Sequence, residues 1–166
     1  TEWDKGKTLF YGFELPQGST LLAPPAPKKR KIEFFGNSIT CGYANEDNTG
    51  QDRWYGYFQN NYLTYAAITA RHFDAQYYCT SKSGIGILIS WFPFVITDIY
   101  DRTDPTDSTS KWDFAKYTPD IVVINLFQND SWLVNMPNHE MFKHFFGTQK
   151  PDEVTIIAAY KRFVST

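Results

Sequence analysis

The sequence predicts an α/β domain, doubly wound around a parallel sheet. Three short apolar runs, at about residues 31–35, 76–79 and 120–126, are rich in β-branched and aromatic residues and too short for helices. The stretches between them are long enough for the crossovers that parallel strands need. The third run, Ile121-Val122-Val123-Ile124-Asn125-Leu126, is nearly continuous in apolar residues, the pattern of a strand covered on both faces.

Taken in order, residues 1–27 read as the end of an upstream β-rich unit and its connector. Leu9-Phe10-Tyr11-Gly12-Phe13 has strand character, and Ala23-Pro24-Pro25-Ala26-Pro27 is a stiff boundary. The basic group Lys28-Lys29-Arg30-Lys31 is a solvated approach to the first strand of a domain spanning residues 28–166. That strand runs into Gly36-Asn37-Ser38. A helix is expected over residues 61–73, with Leu63, Ala66, Ala67 and Ala70 as its buried stripe and His72 facing solvent or capping its end. The second strand leads into Thr80-Ser81-Lys82-Ser83-Gly84-Ile85-Gly86-Ile87, and the third into Phe127-Gln128-Asn129-Asp130. Residues 137–144 suit a lid or rim. Pro151, Asp152 and Glu153 start a last helix with apolar faces. Another parallel strand would be expected next, so the sequence reads as a piece of a longer polypeptide.

Composition narrows the function classes. A net charge of −2 argues against general polyanion binding, and no apolar run of membrane-spanning length or signal peptide is present. The two cysteines, Cys41 and Cys79, do not make a disulfide framework; they are read as buried thiols, with a bond between them as the alternative. Asp98, Asp101, Asp104 and Asp107 are evenly spaced but lack the ligand alternation and central glycine of a calcium loop. Neither a zinc cluster nor a phosphate loop occurs, so no metal or cofactor is expected.

The chemistry lies at the strand ends. A serine hydroxyl becomes an effective nucleophile when a sharp turn holds it near a base and near donors for developing negative charge. Ser38 sits at such a turn, although a serine merely capping a helix is an alternative. Ligands of parallel sheets collect outside the carboxyl ends of the strands, which would bring Ser38, Gly84 and Asn129 to one rim.

These three blocks, Gly36-Asn37-Ser38, Ser83-Gly84-Ile85-Gly86 and Phe127-Gln128-Asn129-Asp130, together resemble the SGNH (GDSL-type) serine hydrolases, most closely the family 2 carbohydrate esterases. The resemblance implies a three-layer, flavodoxin-like fold preceded by a small β-sandwich domain. It also implies that Ser38 is the nucleophile, with the amides of Ser38 and Gly84 and the Asn129 side chain as the oxyanion hole. Asn37 stands where the family has aspartate, and Phe127 where it has glycine. The family's C-terminal histidine segment is not found; His72, His139 and His144 each suit structural positions better.

Aromatic residues make up 18% of the chain and crowd the loops beside these blocks, where flat faces suit sugar rings. Trp132, Trp91 and Tyr43 are the expected substrate contacts. The leading reading is a secreted or periplasmic esterase that removes acetyl groups from xylan- or mannan-type polysaccharide. Rivals are a non-catalytic carbohydrate-binding module, a lipase or thioesterase of the same superfamily, and a flavodoxin-like nucleotide binder.

Overall fold

The computed structural model describes residues 9–166; the part of the expected upstream strand before Leu9 lies outside them. Strands β1 (Arg30–Gly36), β2 (Ala75–Ser81) and β3 (Ile121–Asn125) form a parallel sheet in the order β2-β1-β3. Gly36 is in register with Ser81 on one side and Asn125 on the other, so the three strands end together.

Alternation along β1 distributes the core over two faces. Ile32 and Phe34 pack against Ala66 and Ala70 of α2 (Tyr65–His72), with Tyr65, Tyr77 and Val123 around them. Phe35 points the other way, into a cluster with Ile85, Ile87, Ile96, Ile99, Leu126 and Phe163, the last from α5 (Glu153–Val164). Full burial of each such side chain contributes about 1.5–3 kcal/mol, so covering both faces is what fixes β1 as the central strand. A third cluster joins Ile89 to Leu133 and Val134, at the end of α3 (Gln128–Leu133), and to Phe142 of α4 (Glu140–Phe146). Asp152 starts α5 by accepting from the Thr155 amide at 2.8 Å.

Two expectations are corrected, and two segments take definite form. Residues 9–29 contain neither helix nor strand, and Leu9 to Phe13 are exposed, because no neighbouring strand among the described residues pairs with them. The helix expected over 61–73 divides into a 3-10 turn (Asn61–Leu63) and α2, since Thr64 takes extended dihedrals and caps α2 through the Ala67 amide. Leu63 therefore lies outside the buried stripe and is exposed. The third strand is not buried on both faces: Ile121 and Val122 are 48% and 50% exposed, because β3 lies at the sheet edge and pairs with β1 alone. The segment after α3 forms α4.

Candidate functional site

The common end of the three strands is a rim built from three turns. In the first, β1 passes through Gly36 and Asn37 into the single-turn helix α1 (Ser38–Cys41). A side chain at Gly36 would place its Cβ 1.9 Å from Thr40 Oγ1, so close approach rather than an unusual φ demands glycine. Thr40 is fully buried and shares a 3.0 Å hydrogen bond with the Tyr65 hydroxyl. The cap of α1 is Asn37, not the serine hydroxyl: Asn37 Oδ1 accepts from the Ile39 amide at 3.1 Å. Ser38 is left half-buried as the first residue of the turn, and its amide, like other first-turn amides, has no backbone acceptor within the helix.

The second turn follows β2. Gly84 has φ +82°, the left-handed region that glycine enters without strain, and a Cβ there would crowd Trp91 and Phe92. Gly86 is glycine for the other reason: a Cβ would lie 1.9 Å from the Ile89 carbonyl oxygen and 2.6 Å from Asp130 Oδ2. Asp130 is fully buried and accepts from the amides of Ile87, Leu88 and Ile89 at 3.0, 2.6 and 3.1 Å. Burial pushes its carboxyl above the ordinary aspartate range, and these amide donors oppose that shift.

In the third turn, Phe127 has φ +93° immediately before α3, a conformation costing a residue with a side chain about 1–3 kcal/mol. Its ring borders a groove of about 430 Å³ with Ile156, Ile157 and Tyr160 of α5. Asn129, in the first turn of α3, is buried; its Nδ2 donates to the Ile85 carbonyl at 2.8 Å and its Oδ1 accepts from Trp91 Nε1 at 3.0 Å. An amide chain ties the first and third turns: Asn37 Nδ2 donates to Gln128 Oε1, and Gln128 Nε2 donates to Asn125 Oδ1 at 2.7 Å. The three turns bearing Ser38, Gly84 and Asn129 are thus joined by direct side-chain bonds at one end of the sheet.

Trp132 lies one turn beyond Asn129 on α3 and is 64% exposed. Tyr43 is half-buried, its amide donating to the Ser38 carbonyl at 3.0 Å. Trp54, Tyr55, Tyr57 and Phe58 form a contiguous ring group after α1, with Tyr55 and Tyr57 stacked at 5.5 Å. Arg53 lies over the Phe58 ring and pairs through two nitrogens with Asp47, holding that carboxyl far below its ordinary range.

The histidines have structural settings. His72 is exposed in the last turn of α2; His139 Nδ1 caps α4 by accepting from the Met141 amide, and its ring meets Trp91 edge-on; His144 is exposed beside Phe145. Cys41 and Cys79 form no disulfide and are half-buried rather than buried, each 3.3 Å from Ser81 Oγ. The four evenly spaced aspartates serve their own loop: Asp98 accepts from the Val95 amide, Asp101 pairs with Lys111, and Asp104 and Asp107 accept from Thr106 and Thr109. Among the described residues no group of three or more His, Cys, Asp or Glu could hold a metal ion, and no helix is long and apolar enough to cross a membrane.

A small parallel sheet flanked by helices, with a serine turn and polar side chains gathered at the strand ends, makes this an α/β protein. No family model matches the chain. It is 38% identical over 168 residues to the cellulase/esterase CelE of Acetivibrio thermocellus, covering 99% of this chain and 19% of that protein. It is 31% identical over 157 residues to an acetylxylan esterase / glucomannan deacetylase of Cellvibrio japonicus, covering 90% of this chain and 38% of that protein. Among solved structures, a family two carbohydrate esterase from Clostridium thermocellum in complex with cellohexaose superposes with a TM-score of 0.72 at 39% identity, over 88% of this chain and 41% of that one. The chain is therefore homologous, at moderate identity over most of its length, to the acetylxylan and glucomannan esterases of carbohydrate esterase family 2. It spans well under half the length of these relatives.

Proposed function

We propose that this chain carries the nucleophile and oxyanion donors of a serine esterase that removes O-acetyl groups from xylan- or mannan-type polysaccharide. What supports this reading most is the joining of the Ser38, Gly84 and Asn129 turns at one rim, in a chain homologous to esterases. In this scheme Ser38 Oγ attacks the acetyl carbonyl while a histidine outside this chain takes the serine proton. The Ser38 and Gly84 amides and Asn129 Nδ2 stabilise the tetrahedral oxyanion. Its collapse expels the sugar oxygen, which receives the proton from the histidine, and water then hydrolyses the acetyl-enzyme. Trp132, Tyr43 and the exposed part of Trp91 line the sugar side of the rim. No step calls for a cofactor.

The finer architecture belongs to the same proposal. It comprises a three-layer SGNH hydrolase domain from residue 28 onward, an upstream β-sandwich domain whose last segment and connector are residues 1–27, and export from the cell to reach a polymeric substrate.

The test is acetate release from an aryl acetate and from acetylated xylan, using the longest native polypeptide that contains this chain. Ser38→Ala is expected to lower release by roughly 10⁴-fold or more; unchanged release would remove Ser38 from the mechanism. The exposed ring group at Trp54, Tyr55 and Tyr57 favours a second reading, a polysaccharide-binding module without turnover. Retention on insoluble polysaccharide with no acetate release would favour it. Rates that hold up from acetyl to octanoyl esters would point instead to a lipase or thioesterase.

A further inference from the structure

We infer that Trp91 is a positioning residue, setting which way the Asn129 amide faces and clamping the Gly84 turn against it. The inference rests on the esterase reading for its catalytic meaning, but its geometric content stands alone.

An asparagine side chain has two nearly isosteric orientations, and only one offers N–H groups to an oxyanion. Here both neighbours are single-valued. The Trp91 indole Nε1 can only donate, so the atom 3.0 Å from it must be the Asn129 oxygen. The Ile85 carbonyl can only accept, so the atom 2.8 Å from it must be the Asn129 nitrogen. The reversed amide would set donor against donor and acceptor against acceptor in a buried site. Nδ2 has two protons and Ile85 uses one, leaving the second for the tetrahedral oxygen.

The same residue acts on the second donor. The Trp91 amide donates to the Gly84 carbonyl at 3.1 Å, and the indole Cδ1 lies 3.3 Å from where a Gly84 Cβ would be. Trp91 thus touches the turn that presents the Gly84 amide with its backbone and the Asn129 amide with its ring. His139, edge-on to the indole at 5.1 Å, packs against the ring. This use of the indole N–H differs from a stacking platform, which needs only the ring face.

Trp91→Phe keeps the ring face and the backbone bond and deletes only the Nε1 donor. In the full polypeptide, with an aryl acetate as substrate, it is expected to lower kcat about tenfold with KM little changed. In an Asn129→Ala background the same substitution is expected to cost less than about twofold, because the group it orients is gone. Equal losses in both backgrounds, or a raised KM with unchanged kcat, would overturn the inference and leave Trp91 with substrate contact as its whole role. A crystal structure of Trp91→Phe separates this from the esterase reading. A reoriented or disordered Asn129 amide supports the inference even in a protein without hydrolytic activity; an Asn129 amide that keeps its orientation and its bond to the Ile85 carbonyl sinks it.

Discussion

The two ends of polarity in this small domain are treated differently. At the rim, Asn37, Thr40, Ser90, Asn129 and Asp130 are all buried, and every one of them is hydrogen-bonded to a neighbouring turn or to a side chain packed beside it. Beneath the segment 100–117, polarity is left uncompensated. Glu33 is buried in mid-strand, the Tyr117 hydroxyl lies buried without a partner, and Arg102 Nε is likewise unpaired. Tyr117 stacks on Tyr78 at 3.7 Å, and burial raises its hydroxyl to about 12. Unpaired buried polar atoms cost about 1–3 kcal/mol each, and paired ones rigidify their surroundings. The contrast identifies the rim as the preorganised region and the other face as ordinary structure carrying a stability penalty.

The sharpest way to break this contrast is at Asn129. If the rim is preorganised for an oxyanion, Asn129→Ala lowers kcat by about a hundredfold or more, the loss typical of one donor, and costs about 1–3 kcal/mol in urea unfolding as the Ile85 carbonyl and Trp91 Nε1 lose their partner. A variant with full turnover would strip the rim of that meaning. At its sequence neighbour the larger expected effect is on stability. Asp130→Ala leaves the Ile87, Leu88 and Ile89 amides without their acceptor, a destabilisation of about 3 kcal/mol in urea unfolding, with partial recovery in Asp130→Asn.

The smallest effect is expected on the other face. Burial raises the Glu33 carboxyl, so folding disfavours its ionised form. Its contribution to stability is complete below the unfolded pKa of about 4.3 and is lost as pH rises through the higher folded value. Glu33→Gln stays neutral, and is expected to melt higher than the parent at pH 7 and together with it below about pH 4. Equal Tm values at pH 7 would mean that Glu33 carries no such penalty.

Much of the arrangement was legible because strand signals are local. The runs at 31–35, 76–79 and 120–126 hold the residues that form β1, β2 and β3, and their shared direction follows from the long connections. The glycines of the turns were legible as glycines, but not their two distinct causes, positive φ at Gly84 and lack of space at Gly36 and Gly86. The exposure of Ile121 and Val122 was not legible, since it depends on which strand lies at the edge. Nor was the bond from Trp91 to Asn129, which spans 38 residues and has no periodic trace. Aromatic content pointed to Trp91 as a ring face and was silent about its N–H. The Phe127 substitution did carry a signal: a side chain where the resembled family has glycine now sits at φ +93°.

The amide chain from Asn37 through Gln128 to Asn125 has a fixed polarity. The Ile39 amide can only donate, which sets Asn37 Oδ1 as acceptor and its Nδ2 as donor, and this in turn orients Gln128 and its bond to Asn125. The turn beside Ser38 is consequently held by neutral groups alone, where a Gly-Asp-Ser sequence would hold it with a carboxylate. Titration of this neighbour is thereby removed from the acid side of any pH–rate profile. If Ser38 is the nucleophile proposed above, that limb is left to its base, and Asn37→Asp is the substitution that would bring a second ionisation back.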